Sequence, residues 1–348
     1  MIDLKSMLPE ELEAFLLSLG EPKFRAKQIF SWLSKGVRDF DEMRNLPKTL
    51  REKLAAETYI NGLELLQKQV SHTDGTTKYL WGLRDGNAVE TVVMRYAHGL
   101  TVCISTQVGC RQGCAFCAST IGGLVRNLEP SEMLDEVLYS ALDQGENISN
   151  IVLMGIGEPL DNYAAVLRFL RLVNHPEGLN IGMRHISLST CGLTEGIAAL
   201  AKEDLQLTLA ISLHAPDDET RTKLMPANRG RGVAAVIRAC EDYYRATGRR
   251  ITFEYAMIHD VNDSPAQAKQ LAALARQVRA HINLIPLNHV TERRFAASSP
   301  EHIQAFCKIL DDAGANYTIR RSLGGDVDAS CGQLRRKREL ELTGGDDL

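Results

Sequence analysis

The sequence contains no long hydrophobic run. No stretch of about 18 consecutive apolar residues occurs, and that length is the minimum for a membrane-spanning helix. The N-terminus, MIDLKSMLPEELEAF, also lacks the apolar centre of a secretory signal peptide. We therefore expect a soluble, cytoplasmic protein with no membrane partner. Its 348 residues, 44% hydrophobic and 24% charged, suffice for one large domain with accessory parts.

An excess of positive charge is also missing. The formal net charge is −4, which by itself argues against a nucleic-acid partner, because contacts to phosphates need lysine and arginine. The average conceals local clustering. Residues 21–54 contain nine Lys/Arg against five Asp/Glu, and RRKR spans Arg335–Arg338. RNA binding therefore stays open, and so does the simpler interpretation that these clusters are solvated surfaces.

The eight cysteines do not form the pattern of a secreted disulfide framework, and they fit a reducing compartment. Three of them, Cys110, Cys114 and Cys117, form a CxxxCxxC motif among several glycines. A structural zinc takes four protein ligands, whereas a 4Fe–4S cluster held by three cysteines leaves one iron free to bind another molecule. The alternative is a zinc site completed by Cys103 or by a distant histidine.

Periodicity divides the chain into four parts. Residues 1–60 have the apolar spacing of short helices, and residues 61–98 read as antiparallel strands with turns at Asp74-Gly75 and Asp85-Gly86. Residues 99–335 alternate strand and helix, and residues 336–348 form a basic and then acidic tail. The strands are expected at 101–106, 149–154, 185–189, 207–212, 251–257 and 281–285. Six β-α units predict a parallel sheet that is too short to close as an eight-stranded barrel.

Candidate ligand-binding residues follow these strands. The cysteine motif follows the first strand, and GIGEP, residues 155–159, follows the second. Ser189 ends the third strand, Ser212-Leu213-His214 ends the fourth, and Asn288 follows the sixth. Each segment taken singly could be a turn or a core edge. Because the carboxyl ends of parallel strands meet at one edge of the sheet, together they predict one binding rim.

The motifs resemble a known family. CxxxCxxC is the signature of the radical S-adenosylmethionine (SAM) superfamily. Several further motifs occur in order between residues 90 and 335: QVGC, GLVRNL, MGIGEPLDN, LSTCG, AISLHAPDDETR, LMPANR, NLIPLN and GGDVDASCGQLR. This combination closely resembles the dual-specificity adenine-C2 methyltransferases of bacterial 23S rRNA and tRNA. The implied fold is α/β: an open partial (β/α)6 radical SAM barrel with an N-terminal helical accessory domain and a small β linker.

The resemblance implies the cofactors and their ligands. One 4Fe–4S cluster would be bound by Cys110, Cys114 and Cys117, and SAM would serve as methyl donor and radical source. The matching positions assign SAM binding to a set drawn from the strand ends: Gly157, Glu158, Ser189, Ser212, Leu213, His214 and Asn288. A carboxylate such as that of Glu158 suits the amino group of SAM, and hydroxyl and amide groups suit its ribose and base.

The family also implies roles for two further thiols. Adenine C2 is electron-poor and cannot attack the methyl group of SAM, so a cysteine accepts the methyl first. Cys331, in a glycine-rich loop, matches this methyl carrier. The carrier forms a transient protein–RNA crosslink, which Cys103 would resolve by forming a disulfide. Glu90 matches the proposed proton acceptor. Cys240 and Cys307 are expected to be core residues.

The resemblance also implies partners. These are 23S rRNA and tRNA, bound with the help of the helical N-terminal part, and an external one-electron reductant such as a flavodoxin-like protein. We expect a monomer. Two alternatives stay open: methylation of C8 of the same rRNA adenosine by the same machinery, and a non-catalytic zinc-containing RNA-binding protein.

Overall fold

The structure is a computed structural model that describes residues 1–288, 290, 292–321, 323–327 and 332–342, with side chains up to residue 338 in the last range.

The N-terminal part of the chain is a small unit of short helices. The unit contains β1 (Ile2–Asp3), α1 (Pro9–Ser18), α2 (Phe24–Leu33), α3 (Lys48–Glu57) and β2 (Thr58–Tyr59). The helices bury Leu12, Leu16, Ile29, Leu50 and Leu54 in a core of their own. This core also includes Leu172, from the part of the chain in which strands and helices alternate. The helical periodicity of residues 1–60 is thus confirmed.

The next segment is antiparallel, as expected, and it extends the main sheet. It consists of β3 (Glu64–Val70), β4 (Thr77–Gly82) and β5 (Ala88–Tyr96), and β5 pairs antiparallel with β6 (Gly99–Cys103). Gly75 and Gly86 have φ values of +74° and +85° at the two connecting turns, a conformation that favours glycine. A short hairpin, β7 (Gln107–Gly109) and β8 (Leu124–Asn127), then carries the cysteine loop between its strands.

Parallel strands form the rest of the sheet. After β6 these are β9 (Ile148–Leu153), β10 (Ile186–Thr190), β11 (Thr208–Ser212), β12 (Ile251–Met257), β13 (His281–Pro286) and β14 (Tyr317–Ile319). The order is β14-β13-β12-β11-β10-β9-β6-β5-β4-β3, and every neighbouring pair from β6 to β14 is parallel. All six expected strands are confirmed, with ends shifted by up to three residues. The short β14 was not anticipated, because its half-exposed residues give no apolar pattern.

Helices connect the successive strands from β8 to β14, and one more follows β14. They are α4 (Pro130–Gln144), α5 (Tyr163–Asn174), α6 (Thr194–Leu200), α7 (Asp218–Leu224), α8 (Val233–Thr247), α9 (Pro265–Gln277), α10 (Pro300–Asp312) and α11 (Gln333–Leu342). Within the described residues, the two ends of the sheet, β3 and β14, do not pair with each other, so the barrel is open as predicted. None of the described helices is long and apolar enough to cross a membrane.

The C-terminal stretch differs from the expected tail. Residues 333–342 are helical, although the sequence QLRRKRELEL has no apolar stripe that would predict a helix. Leu334 and Arg335 are nonetheless buried, and Leu334 packs with Leu80 and Ala88 of the antiparallel strands. Tertiary contacts, rather than the sequence pattern, therefore account for this helix. The division of the chain into domains remains a prediction.

Candidate active site

The cysteine loop is shaped by its glycines. Cys110 directly follows β7, and its backbone N–H donates a 2.9 Å hydrogen bond to the carbonyl oxygen of Gly123. At Gly109, with φ of +76°, an added Cβ would lie 1.9 Å from that same oxygen, so only glycine fits. The Thr120 hydroxyl donates to the carbonyl oxygens of Cys114 (3.1 Å) and Cys117 (3.0 Å). These bonds close the loop around the three cysteines.

The three thiols line one cavity of about 230 Å³. Burial, together with the negative charge of a Cys117 thiolate, raises the pKa of Cys110 to about 12. Burial, followed by the charges of the Cys117 and Cys110 thiolates, raises the pKa of Cys114 further still. Three thiolates this close repel one another unless a cationic centre binds them. Three cysteine sulfurs facing one space therefore fit the expected cluster, and these residues would hold it.

Gly157 and Glu158 lie across the same cavity, after β9. Gly157 has φ of +111°, and a Cβ there would approach the Cβ of Gln107 to 2.7 Å, which excludes other residues. The Glu158 carboxylate is buried and accepts hydrogen bonds from the backbone N–H groups of Cys191 (2.7 Å) and Leu160 (3.1 Å). Burial raises its pKa, and these donors oppose the shift. The arrangement presents a fixed acceptor to a ligand ammonium group.

Two adjacent strands place serine hydroxyls side by side. Ser189 of β10 and Ser212 of β11 have their Oγ atoms 3.1 Å apart, and both line the cavity. His214 follows β11 in the left-handed region, with φ of +55°. Its Nδ1 accepts a hydrogen bond from the Ala256 N–H (3.0 Å), so the neutral ring carries its proton on Nε2. Burial, aided by the charge of Arg221, lowers its pKa to about 3.

Leu213 and Asn288 occupy different surroundings. The Leu213 side chain is fully buried in the main core and does not line this cavity, so a contact from Leu213 to SAM would come from its backbone and stays a prediction. Strand alternation explains this, since neighbouring residues point to opposite faces. Asn288 is exposed and lines a second cavity of about 250 Å³. This cavity adjoins the first and shares Phe116, Cys117 and His214 with it.

Cys103, the last residue of β6, is buried and lines the second cavity together with Cys117. The structure thus brings it beside the cysteine loop. Cys331 lies outside the described residues. Its neighbour Gly332 touches the same loop: a Cβ added there would lie 2.9 Å from the Ser119 nitrogen. Cys240 and Cys307 are buried in the main core, as expected.

Glu90 of β5 anchors the C-terminal helix. Its carboxylate is buried and forms a 3.0 Å ion pair with Lys78 of β4, which is also fully buried. It accepts hydrogen bonds from the backbone N–H groups of Gly332 (2.6 Å) and Arg335 (2.7 Å), at the start of α11. Glu90 does not line either of the two cavities. The structure therefore shows Glu90 as the cap of a helix whose start, Gly332, follows Cys331 directly in the sequence.

One buried residue at the site was missed by the sequence reasoning. Arg221 of α7 is 1% exposed and donates hydrogen bonds to the carbonyl oxygens of Leu213 (3.0 Å), Cys191 (2.6 Å) and Ser212 (3.2 Å). It thereby ties together the ends of β10 and β11. Its only signal was a position in the AISLHAPDDETR motif, which gives no indication that a charged side chain would be buried.

Comparisons with known proteins identify the family. A family model described as the radical SAM superfamily matches residues 104–272, and one described as the ribosomal RNA large subunit methyltransferase N-terminal domain matches residues 2–60. A protein of Alkaliphilus oremlandii named "Probable dual-specificity RNA methyltransferase RlmN" is 53% identical over 97% of this chain and 98% of its own length. The protein of Desulforamulus reducens with the same name is 51% identical over 97% of each chain.

A solved structure shows the same architecture. The crystal structure of a radical SAM methyltransferase from Sphaerobacter thermophilus has a TM-score of 0.91 and 44% identity, and it covers 96% of this chain and 99% of that one. The predicted fold class is therefore confirmed. Relatives of this identity over nearly the full length also decide against the non-catalytic zinc alternative. The chain belongs to the RlmN-type radical SAM methyltransferases.

Proposed function

We propose that this protein methylates C2 of an adenosine in 23S rRNA, in the peptidyl transferase region, and of an anticodon-loop adenosine in tRNA. The observation that carries the proposal is the single cavity that joins three cysteines to Glu158, Ser189 and Ser212 in a chain of this family. Superfamily membership implies a 4Fe–4S cluster and SAM, and the residues present fit both. Cys110, Cys114 and Cys117 would hold the cluster.

Bound together, the cluster and SAM supply a methyl group and a carbon-centred radical that removes hydrogen. The side chains around the cavity orient the nucleoside. Glu158 would accept hydrogen bonds from the amino group of SAM, and its buried position would strengthen that contact. The hydroxyls of Ser189 and Ser212 and the Nε2–H of His214 suit ribose and base edges. Asn288, at the second cavity, and Gly157, through its backbone, complete the set of SAM-binding residues. Leu213 contributes by packing in the core behind these residues.

We assign the covalent steps to two further thiols, those of Cys331 and Cys103. Cys331 would accept the methyl group. In the protein–RNA thioether, the Cys103 thiolate would then attack the Cys331 sulfur, so that the S–S bond forms, the S–C bond breaks, and the carbon takes up a proton to become the 2-methyl group. The position of Cys103 on the wall of the second cavity supports its part. For Cys331, the support is the contact of its neighbour Gly332 with Ser119, two residues after Cys117. This contact places the residue that follows Cys331 next to the cysteine loop.

Glu90 is proposed as the proton acceptor on the strength of the family motif. In the structure its carboxylate is occupied by Lys78 and by the start of α11. Acting as a base would require it to exchange at least one of these partners when RNA is bound. Its contact with Gly332 supports a link between that exchange and the Cys331 segment.

RNA reaches the site by electrostatic attraction to local basic surfaces. Two lysines of the N-terminal unit, Lys27 at 74% and Lys48 at 80%, are well exposed. Each forms a surface ion pair, with Glu177 and Glu52 respectively, and can exchange that partner for a phosphate despite the net negative charge. The target base is then turned out of the RNA fold into the cavity. The protein works as a cytoplasmic monomer and takes single electrons from a flavodoxin-like reductant.

Product analysis tests this proposal. The cluster-loaded protein is incubated with SAM, reductant and defined 23S rRNA and tRNA fragments, and digested nucleosides are separated by chromatography with mass spectrometry. The expected product is 2-methyladenosine from both RNAs. Methylation at C8 would establish the alternative regiochemistry that the same residues permit. Absence of any methylated adenosine from fully loaded enzyme would overturn the proposal.

A further inference from the structure

Three side chains outside the proposed active site form a second set of metal-binding groups. His259 follows β12, Asp263 precedes α9, and His302 lies in the first turn of α10. One ligand atom from each lies within 4.8 Å of the other two. None of the three lines either cavity of the active site. The set is therefore a separate feature of the same edge of the sheet.

The distances suit a small transition-metal ion after modest adjustment. His259 Nδ1 lies 3.6 Å and His302 Nδ1 lies 4.0 Å from Asp263 Oδ2, both too long for hydrogen bonds. Bonds of about 2.0–2.2 Å to a tetrahedral zinc place ligand atoms roughly 3.3 Å apart. Since the His302 side chain is 52% exposed, rotation of that ring can close the gap.

The ligand atoms are held ready by neighbouring groups. The Asp263 carboxylate is nearly buried; its Oδ2 accepts a hydrogen bond from the Ser298 hydroxyl (2.8 Å) and its Oδ1 from the Asp260 N–H (3.0 Å). His259 Nε2 faces the Asp260 carboxylate at 3.4 Å, which favours a proton on Nε2 and leaves the Nδ1 lone pair free.

His259 Nδ1 provides a second, independent observation. This atom is buried and has no hydrogen-bond partner among the described residues. A buried polar atom without a partner is costly, and a metal ion at the centre of the three groups would satisfy it. Two imidazole nitrogens and one carboxylate oxygen are typical ligands for zinc and for other divalent transition metals, whereas magnesium and calcium prefer oxygen alone.

A metal at this site would fix the position of residues 292–298, a segment that touches the cysteine loop. His259 N–H donates to Ala296 O (2.9 Å), and Ser298 N–H donates to Met257 O (3.3 Å), so this segment is joined to the end of β12. Arg293, in the same segment, donates to Cys117 O (3.0 Å) and to the Thr120 hydroxyl (2.9 Å). A metal at its base would hold the segment against the loop.

We propose that His259, Asp263 and His302 bind one divalent transition-metal ion, for which Zn²⁺ is the probe. Cluster-loaded protein without a histidine tag is dialysed anaerobically against zinc chloride, and bound zinc is counted by elemental mass spectrometry. One zinc per chain is expected beyond the cluster iron. His259→Ala and His302→Ala should each weaken binding at least tenfold, and the double variant should bind none at this site.

His98→Ala is the matched control, because it removes an exposed histidine elsewhere on the surface and should leave zinc binding unchanged. Asp263→Asn keeps the side-chain volume and should also weaken binding tenfold or more. X-ray absorption at the zinc edge should show nitrogen and oxygen neighbours only. Sulfur neighbours, or equal zinc binding by parent and double variant with the cluster absorbance intact in both, would overturn the proposal.

Discussion

The two halves of the active site are held in place by different means. On the cofactor side, Ala115 N–H of the cysteine loop donates to Leu224 O of α7 (2.8 Å), and Thr106 N–H, before the loop, donates to Ile156 O after β9 (2.8 Å). The buried Arg221 of α7 joins the ends of β10 and β11. On the thiol side, Cys103 belongs to the sheet, whereas Gly332, the residue after Cys331, donates a backbone hydrogen bond to the Glu90 carboxylate. The comparison indicates that the proposed cofactor side is held by several independent contacts, while Gly332 is held through Glu90, which pairs with the buried Lys78.

Removing a cluster ligand is the harshest test of the cofactor side. Cys114→Ala should abolish iron binding and methyl transfer together, because two thiolates cannot hold the cluster. Iron content and absorbance near 400 nm, after anaerobic reconstitution, measure the first effect. Cys307→Ala, which changes a core cysteine of α10, should retain both iron and activity. Full iron occupancy in Cys114→Ala would contradict the assignment.

Removing thiols on the other side should leave the cluster intact. Cys331→Ala should bind iron normally but carry no methyl group, whereas Cys103→Ala should accept the methyl and accumulate covalently attached RNA. Peptide mass spectrometry and denaturing gels distinguish the two outcomes. Methyl found on another residue of the parent protein would contradict the proposed division of roles.

The effect of breaking the buried ion pair at Glu90 can be compared with the effect of breaking a second buried ion pair. Lys78–Glu90 has a counterpart in Lys5–Asp135, which is also fully buried and joins the N-terminal unit to α4. Either Lys→Met change leaves a buried carboxylate unpaired, and we expect a loss of about 3–5 kcal/mol of unfolding free energy. Denaturant titration measures this loss.

Activity should separate the two variants. Lys78→Met should also reduce Cys331 methylation per folded, cluster-loaded molecule, because Glu90 loses the charge that fixes it beside Gly332. Lys5→Met should leave methylation of the folded fraction unchanged. Equal activity in the two folded variants would show that the thiol side does not depend on this pair.

On the cofactor side, Glu158→Gln keeps the shape but removes the charge. A hydrogen bond to a charged group contributes about 1.5–3 kcal/mol, so we expect SAM binding to weaken roughly 10- to 100-fold. Equilibrium dialysis with labelled SAM measures the change. Glu195→Gln, at an 80% exposed position on α6, should bind SAM as the parent does. An unchanged affinity of Glu158→Gln for SAM would show that Glu158 does not bind the amino group of SAM.

The smallest expected effect, counted per pH unit, concerns the pH dependence of stability. Because burial lowers the pKa of His214 to about 3, the folded protein binds fewer protons there than the unfolded chain between pH 6.5 and about 3. Stability from this group is therefore present above pH 6.5 and is lost as pH falls. His214→Asn, which tolerates the left-handed backbone, should make this dependence shallower by up to about 1.4 kcal/mol per pH unit. An unchanged slope in acid denaturation would contradict the assignment.

Much of this architecture was accessible from sequence because strand ends of parallel sheets converge. Cys110, Glu158 and Ser189 are far apart in the chain, yet each lies at or just after the end of a strand, and the structure brings them to one cavity. The side chain of Leu213 does not line that cavity, because neighbouring residues of a strand point to opposite faces of the sheet. Burial of Arg221 could not be predicted, since a charged side chain becomes stable inside a protein only when distant carbonyl groups surround it.

The spacing of Cys110, Cys114 and Cys117 and the order of strands and helices were determined by the sequence itself, because both depend on local periodicity and on neighbouring residues. The tertiary structure alone decided that Lys78 and Glu90 pair and cap α11, and that His259, Asp263 and His302 meet. Apart from His259 and Asp263, which are four positions apart, these groupings join residues that are separated by 12 to 245 positions. The charges of Lys78 and Glu90 are compatible with burial only in the partnership that the fold creates.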